Sequence, residues 1–299
     1  MKQTTLDDYK GRMLRVLVHI QQNLDEPVSL EKLAAIAAFS PYHFHRIFRG
    51  MVGESVKEHI RRLRLERAAA RLKLTDEPIS RIALEAGYES HEAFTRAFRV
   101  GLGLSPSEFR AHNAMQPRQP TPRRVSYQAG GSITDFEPVT SGGETMQVEI
   151  KKLEPMRVAF VRHTGPYNEC GSAWEKLGMV LGQEGLLGGA QLLGLCHDDP
   201  EVTPGDKIRY DACCTLDGDF QPQGDIGVML IEGGEYAMAT HFGPFEGIGD
   251  TYARLFGEWL PRSGRELRSA PCLEIYLTDP ENTEPEDYVT DIYMPLQTR

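Results

Sequence analysis

Two stretches of this chain are one unit written twice. The first runs Leu30-Glu-Lys-Leu-Ala-Ala-Ile-Ala-Ala-Phe-Ser-Pro-Tyr-His-Phe-His-Arg-Ile-Phe-Arg49 and the second Ile79-Ser-Arg-Ile-Ala-Leu-Glu-Ala-Gly-Tyr-Glu-Ser-His-Glu-Ala-Phe-Thr-Arg-Ala-Phe-Arg99. Leu33, Ala34, Ala38, Phe39, Ser40, Phe44, Arg46, Phe48 and Arg49 match Ile82, Ala83, Gly87, Tyr88, Ser90, Phe94, Arg96, Phe98 and Arg99. The offset is 49 residues before the central turn and 50 after it, Glu89 being one extra. A repeat fixes architecture before any single residue is interpreted. Each copy reads as a short apolar helix, a tight turn and a second helix begun by Ser, which makes two helix-turn-helix units.

The flanks are helical as well. Met13, Leu14, Leu17, Ile20 and Leu24 form an apolar stripe at helical spacing over residues 7–24, which Pro27 ends. Ser29 is placed to cap the next helix, and Ser40-Pro41 is a strong helix start, with a hydroxyl acceptor at the cap and Pro where no N–H is needed. A long helix is expected from about Ser55 to Leu74, on the order of 28 Å at 1.5 Å per residue and close to one turn of B-DNA. Ser105-Pro-Ser-Glu108 is a capping box for a last short helix. No strand pattern precedes residue 112, so residues 1–112 are expected to be all helix.

Residues 113–146, with Gln116-Pro-Arg-Gln-Pro-Thr-Pro-Arg-Arg124, Gly130-Gly131 and Ser141-Gly-Gly143, have the composition of a linker. From residue 147 the period becomes that of strands, with β-rich segments at 147–153, 157–163, 207–215, 228–231, 235–241, 272–278 and 289–295 and helical stretches at about 169–183 and 247–263. A second repeat lies here: Val158-Ala-Phe-Val-Arg-His-Thr-Gly-Pro-Tyr167 against Tyr236-Ala-Met-Ala-Thr-His-Phe-Gly-Pro-Phe245, 78 residues apart and continuing as Trp174/Tyr252 and Leu177/Leu255. The expected architecture is therefore two domains, an all-α double helix-turn-helix domain followed by an α+β domain built by duplicating one β-α-β-β unit, with a cleft along its pseudo-two-fold axis.

Charge divides the same way. The net charge is −10, but residues 1–112 carry +4, residues 113–146 are neutral and residues 147–299 carry −14. DNA contact belongs to the first part. No apolar run reaches the roughly 18 residues of a membrane helix, and the first residues have no signal-peptide pattern, so a cytoplasmic protein is expected. Five cysteines without C-x-x-C spacing argue against a disulfide framework or a zinc site.

In a helix-turn-helix the start of the second helix enters the major groove. Tyr42, His45 and Arg46 in the first copy, and His91, Glu92, Thr95 and Arg96 in the second, are the candidate base-reading residues. Arg46 and Arg96 have the fork that pairs with guanine O6 and N7, Glu92 suits cytosine N4, and His45 and His91 suit N7 or phosphate. Arg61, Arg62 and Arg64 are candidate phosphate contacts that set register. The arginines also fit a plain solvated surface. His43-x-His45 does not make a metal pair, because residues two apart face different sides of a helix.

Residues 5–110 resemble the DNA-binding domain of the AraC/XylS family of bacterial regulators. The likeness rests on Ser40-x-x-x-Phe44-x-Arg46-x-Phe48, Arg61-x-x-Arg64-Leu65-x-x-Ala68, Gly87-Tyr88-x-Ser90-x-x-x-Phe94-x-Arg96-x-Phe98-Arg99 and Gly103-x-Ser105-Pro106-x-x-Phe109-Arg110. It implies sequence-specific promoter binding through both helices, often as a monomer. Tyr42 and Glu92 depart slightly from the residues relatives carry. Residues 147–299 are similar to the GyrI-like effector-binding domain through His163-Thr-Gly-Pro-Tyr167, Arg209-Tyr-Asp211, His241-x-Gly243-Pro244-Phe245, Pro271-x-x-Glu274-Ile-Tyr276-Leu and Asp291-Ile-Tyr-Met-Pro295. That resemblance implies a small-molecule pocket in which a glutamate at the Glu274 position faces an aromatic cage.

The residues agree independently. In a strand Glu274 and Tyr276 share one face while Leu273, Ile275 and Leu277 share the other. A carboxylate beside aromatic rings suits a lipophilic cation. Glu274, Tyr276, Trp174, Tyr167 and Phe245 are the candidate ligand residues, and Trp174 and Tyr252 fit either the pocket or the core of their helices. The expected function is a DNA-binding transcriptional regulator with a small lipophilic or cationic effector, its partners being promoter DNA, the effector and RNA polymerase, with no cofactor and no membrane. The alternative is a hydrolase or a sequestering protein for a toxic small molecule, with Glu274 and His163 or His241 activating water. The chain has no G-x-S-x-G, H-E-x-x-H or phosphate loop, which favours the regulator.

Overall fold

The computed structural model describes residues 2–112, 125–127, 133–140, 145–198, 200, 203–280 and 282–298, with the side chains of all but 2–4, 42 and 125–127. The first part is helical throughout: α1 (Lys2–Gln22), α2 (Leu30–Ala37), α3 (Pro41–Val52), α4 (Val56–Leu74), α5 (Ile79–Glu85), α6 (His91–Leu102) and α7 (Pro106–Ala111). The caps expected at Ser29 and Ser105 form, and the one expected at Ser40 does not. Ser55 and Ser105 each close a capping box with Glu58 and Glu108, and Ser29 accepts from the Lys32 N–H. Each such cap contributes about 1 kcal/mol. Ser40 starts α3 without a side-chain cap bond. The tight turn of the first unit runs through Ala38 in the left-handed region (φ 54°), where the second unit has Gly87.

The two units are packed differently. The second closes its own core, with Leu65, Leu72, Ile82, Phe94, Phe98 and Phe109 buried together. The first does not. Phe44, Ile47, Phe48 and Met51 of α3 belong to one continuous core with Tyr252, Leu255, Phe256, Leu260, Ile292 and Met294 of the C-terminal half. The first unit and that half are therefore one packed body.

Part of the expected linker is docked rather than open chain. β1 (Val125–Tyr127) and β2 (Ile133–Phe136) pair antiparallel, and Ile133 and Phe136 are buried in the same core as α1. The Ile133 N–H donates to Gln21 Oε1 at 3.1 Å, Lys10 pairs with Asp135 at 3.1 Å, and the Val139 N–H donates to the Met51 carbonyl at 2.8 Å. The Pro- and Gly-rich runs at 116–124, 130–131 and 141–143 lie outside the described residues.

The C-terminal half is an eight-stranded antiparallel sheet of β3 (Glu149–Leu153), β4 (Met156–Thr164), β5 (Leu192–Cys196), β6 (Arg209–Thr215), β7 (Ile226–Ile231), β8 (Gly234–Phe242), β9 (Cys272–Tyr276) and β10 (Val289–Pro295). Its helices are α8 (Gly171–Gln183), α9 (Ile248–Arg254) and α10 (Leu260–Ser263), the last two joined by a π-helical turn at Leu255–Trp259. Pro261 has no N–H to give the preceding turn, and the helix widens just before it.

The strand order β3-β8-β10-β9-β5-β6-β4-β7 is symmetric about its centre. The pseudo-two-fold passes between β5 and β9. The leading strand of each half is exchanged: β3 pairs with β8 and β7 with β4, which ties the halves together. β5 was not expected from the sequence; it fills in the first half the place β9 fills in the second. One face of the sheet carries α8, whose Ala173, Leu177 and Leu181 pack with Ala159, Val161, Ala212 and Cys214. The other packs on itself around Leu195, Leu273, Ile275, Tyr236 and Tyr293. Among the described residues no helix is long and apolar enough to cross a membrane.

Candidate functional site

Glu274 lies at the centre of the sheet, directly across from Gly194 in the β5–β9 register. The segments Leu192–Cys196 and Cys272–Tyr276 are equivalent under the duplication, so the two residues are counterparts at the pseudo-two-fold axis. One half supplies a carboxylate and the other supplies space. An added Cβ at Gly194 would lie 2.6 Å from both the Tyr210 and the Tyr276 hydroxyl oxygens.

Those hydroxyls feed the carboxylate. Tyr252 Oη donates to Glu274 Oε1 at 2.9 Å, and Tyr276 Oη donates to Oε2 at 3.0 Å. Tyr276 has a single proton to give, so Tyr210, 2.8 Å from the Tyr276 oxygen, completes the chain as donor. Burial raises all three phenols well above their usual range and keeps them protonated. The carboxylate is thus oriented by neutral donors, and Glu274 is 7% exposed.

Aromatic rings surround this chain. Trp174 and Phe245 each stand edge-on to Tyr276 with centroids 5.7 Å away, and Tyr167 stands edge-on to Tyr210 at 5.8 Å. All five candidate ligand residues (Glu274, Tyr276, Trp174, Tyr167 and Phe245) therefore converge. Tyr252 is both helix core and carboxylate partner. Tyr210 was missed, although Tyr210, Ala212 and Cys214 alternate on the helix-covered face and the parity of β6 would have found it. Cys196 and Cys272 face each other in register beside the site, and burial pushes the Cys272 thiol up to about 11.

The two histidines considered as general bases serve turns instead. His163 Nε2 is 3.0 Å from the Pro166 carbonyl; His241 Nε2 is 3.1 Å from the Pro244 carbonyl, with its Nδ1 2.8 Å from Thr251 Oγ1. Among the described residues no group of three or more His, Cys, Asp or Glu is disposed to hold a metal ion.

The reading helices differ sharply in access. On α6, His91, Glu92 and Arg96 are exposed and Thr95 is half-buried. On α3 the expectation of an open surface fails for His45 and Arg46, which are 1% and 8% exposed. For Arg46 the cause is the C-terminal half. The Arg46 guanidinium lies over the Tyr252 ring, 4.3 Å from its centroid, and Nη1 donates to Cys272 Sγ at 3.3 Å. His43 Nε2 is 3.1 Å from the Arg268 carbonyl, and burial beside Arg46 lowers its pKa to about 4. At Gly50 an added Cβ would lie 2.4 Å from the Ala253 carbonyl and 2.6 Å from Gly257, so the helices touch backbone to backbone. The Tyr42 side chain lies outside the described ones.

Of the three candidate phosphate contacts only Arg61 is exposed. Arg62 forks onto Glu54 and reaches Glu66, and Arg64 donates to the Leu24 carbonyl at 2.8 Å. Both are structural ties between α4 and its neighbours.

Residues 146–297 match the family described as GyrI-like small molecule binding domain. The chain belongs to the GyrI-like family. Ahead of its GyrI-like domain, residues 33–112 match a helix-turn-helix domain family. The transcriptional regulator Rob of Salmonella typhimurium is 26% identical over 90% of this chain and 91% of its own length. The right origin-binding protein of Escherichia coli K12 is 27% identical over the same shares. The HTH-type transcriptional activator AarP of Providencia stuartii is 37% identical over 32% of this chain and 70% of its own. This GyrI-like chain is a DNA-binding transcriptional regulator of the AraC type.

Proposed function

We propose that the GyrI-like domain is an effector sensor whose ligand is a small lipophilic cation held at Glu274, and that α6 reads promoter DNA. The observation that carries the sensor reading is the buried Glu274 carboxylate, fixed by two tyrosine hydroxyls and walled by aromatic rings. Ionised carboxylates are seldom buried without a compensating partner. A cationic ligand gains charge pairing with Glu274 and about 0.5–2 kcal/mol per ring face it meets, while its apolar body replaces water against the aromatics. On α6, Arg96 offers a fork for guanine and Glu92 an acceptor for cytosine, with His91 and Thr95 beside them.

The test is a charged and neutral pair of similar shape. Tetraphenylphosphonium should raise the melting temperature of the full chain in a concentration-dependent way, and triphenylphosphine oxide should do so far less. Equal shifts from both would remove the cation preference.

A further inference from the structure

A cation already stands at the wall of this site, and it comes from the other domain. Arg46 lies against the Tyr252 face whose hydroxyl holds Glu274, and it donates to Cys272, two residues before Glu274 on the same face of β9. Burial raises the Cys272 thiol, and Arg46 and Glu274 act on it with opposite sign, so both charges are felt at the same sulfur. Tyr252 likewise feels the two charges in opposition once burial has raised it. A guanidinium taken out of water costs several kcal/mol unless an anion and acceptors compensate it. The Tyr252 face and the Cys272 sulfur, both next to Glu274, are the contacts that hold Arg46 there.

The same placement silences a reading helix. From His43 to Phe48 every residue of α3 is buried, and Gly50 abuts Gly257, so docked α3 cannot lie in a major groove. Its counterpart α6 keeps His91, Glu92 and Arg96 in solvent.

We propose that Arg46 is the resident cation of the Glu274 site, and that a cationic effector displaces it and frees α3 to read DNA alongside α6. The proposal rests on the effector reading given above. It specifies the effector as a competitor of a guanidinium, and it joins ligand and DNA through one side chain. Linkage is reciprocal: the factor by which effector tightens DNA binding equals the factor by which DNA tightens effector binding.

The experiment uses the full chain, tetraphenylphosphonium and a duplex selected from a random pool by the same protein. Calorimetry with tetraphenylphosphonium compares wild type, Arg46→Gln, Gly257→Ala and Glu274→Gln; fluorescence anisotropy and hydroxyl-radical footprinting compare wild type and Gly257→Ala with and without tetraphenylphosphonium. Gly257→Ala acts as a wedge, because its Cβ would lie 2.1–2.3 Å from the Gly50 backbone. Arg46→Gln should bind tetraphenylphosphonium at least about fivefold more tightly than wild type, the lower end of ordinary coupling. Gly257→Ala should show the same gain. In wild type tetraphenylphosphonium should tighten DNA binding by at least about fivefold and lengthen the footprint by a major groove, whereas Gly257→Ala should already bind that tightly without it. Binding that is lost in Glu274→Gln but not strengthened in Arg46→Gln or Gly257→Ala overturns the displacement and leaves the effector reading standing. Absence of binding in wild type and in both of these variants overturns the two together.

Discussion

Arg46 and Arg96 hold the same position in the two copies of the helix-turn-helix unit, yet Arg46 is buried over the ring of Tyr252 while Arg96 stands in solvent. The same position of the repeat has been given two environments by what packs against it. The asymmetry makes the two residues separable by measurement.

In the absence of effector, Arg96→Ala should cost about 1–3 kcal/mol of binding to a selected duplex, concentrated at one base position. Arg61→Ala, at an exposed α4 position, should weaken selected and scrambled duplexes alike and reduce the salt dependence of binding. Anisotropy titrations at two salt concentrations distinguish these outcomes. Equal losses on both duplexes for Arg96→Ala would refute its base-reading role.

Arg62→Ala should behave as a stability variant. Burial works against the Glu54 charge, but hydrogen bonds from His59 and Arg62 hold its carboxyl down at about 2. The pair is only partly exposed, and removing the arginine leaves a carboxylate with its main donor gone. A loss of about 2–3 kcal/mol in urea unfolding is expected, with little change in the salt dependence of DNA binding.

Docking of α3 should be pH-sensitive through His43. Its ring faces the Arg46 guanidinium, the carbonyls of Arg268 and Ala270, and the ring of Phe256. Burial, then the Arg46 charge, lowers its pKa from 6.5 to about 4. A depressed histidine favours the docked state fully above the undocked pKa, and that contribution is lost as pH falls from about 6.5 towards 4. At most about 3 kcal/mol is at stake. Hydrogen exchange of α3, corrected for the intrinsic rate, should show protection falling between pH 7.5 and 5, and His43→Phe should flatten that dependence.

Gly194→Ala tests the room that the tyrosine hydroxyls occupy opposite Glu274. The new methyl would meet the Tyr210 and Tyr276 hydroxyls and push Tyr276 from the carboxylate. Loss of a hydrogen bond to a charged acceptor costs about 1.5 kcal/mol, or roughly tenfold in ligand affinity. Titration calorimetry with tetraphenylphosphonium measures it, and far-UV circular dichroism should show the sheet retained. Unchanged affinity would separate the tyrosine chain from binding.

Much of this arrangement was legible in local sequence. The doubled unit, the Ser-based caps and the span of α4 follow from repeat and periodicity, since each depends on residues within a few turns of one another. The 78-residue repeat and strand parity placed Glu274 with Tyr276 and pointed to Trp174, Tyr167 and Phe245. What escaped was set by distant partners. Leu192-Leu-Gly-Leu-Cys196 shows no polar alternation because β5 is covered on both faces at the sheet centre, although its counterpart Cys272–Tyr276 could have located it. Docking of Ile133 and Phe136 on α1, and burial of Arg46, were invisible because neither segment contains the surface that covers it. Gly50 and Gly257, each lacking the Cβ that would keep two helices apart, were the available hint.

As the effector's counter-charge, the buried Glu274 carboxylate should decide affinity for a cationic ligand. Calorimetric titration of tetraphenylphosphonium into the full chain, wild type against Glu274→Gln, addresses it directly. Saturable binding at one site should weaken at least about tenfold in the variant, roughly the 1.4 kcal/mol of one lost charge-assisted contact. Equal affinity in a folded Glu274→Gln protein would contradict it.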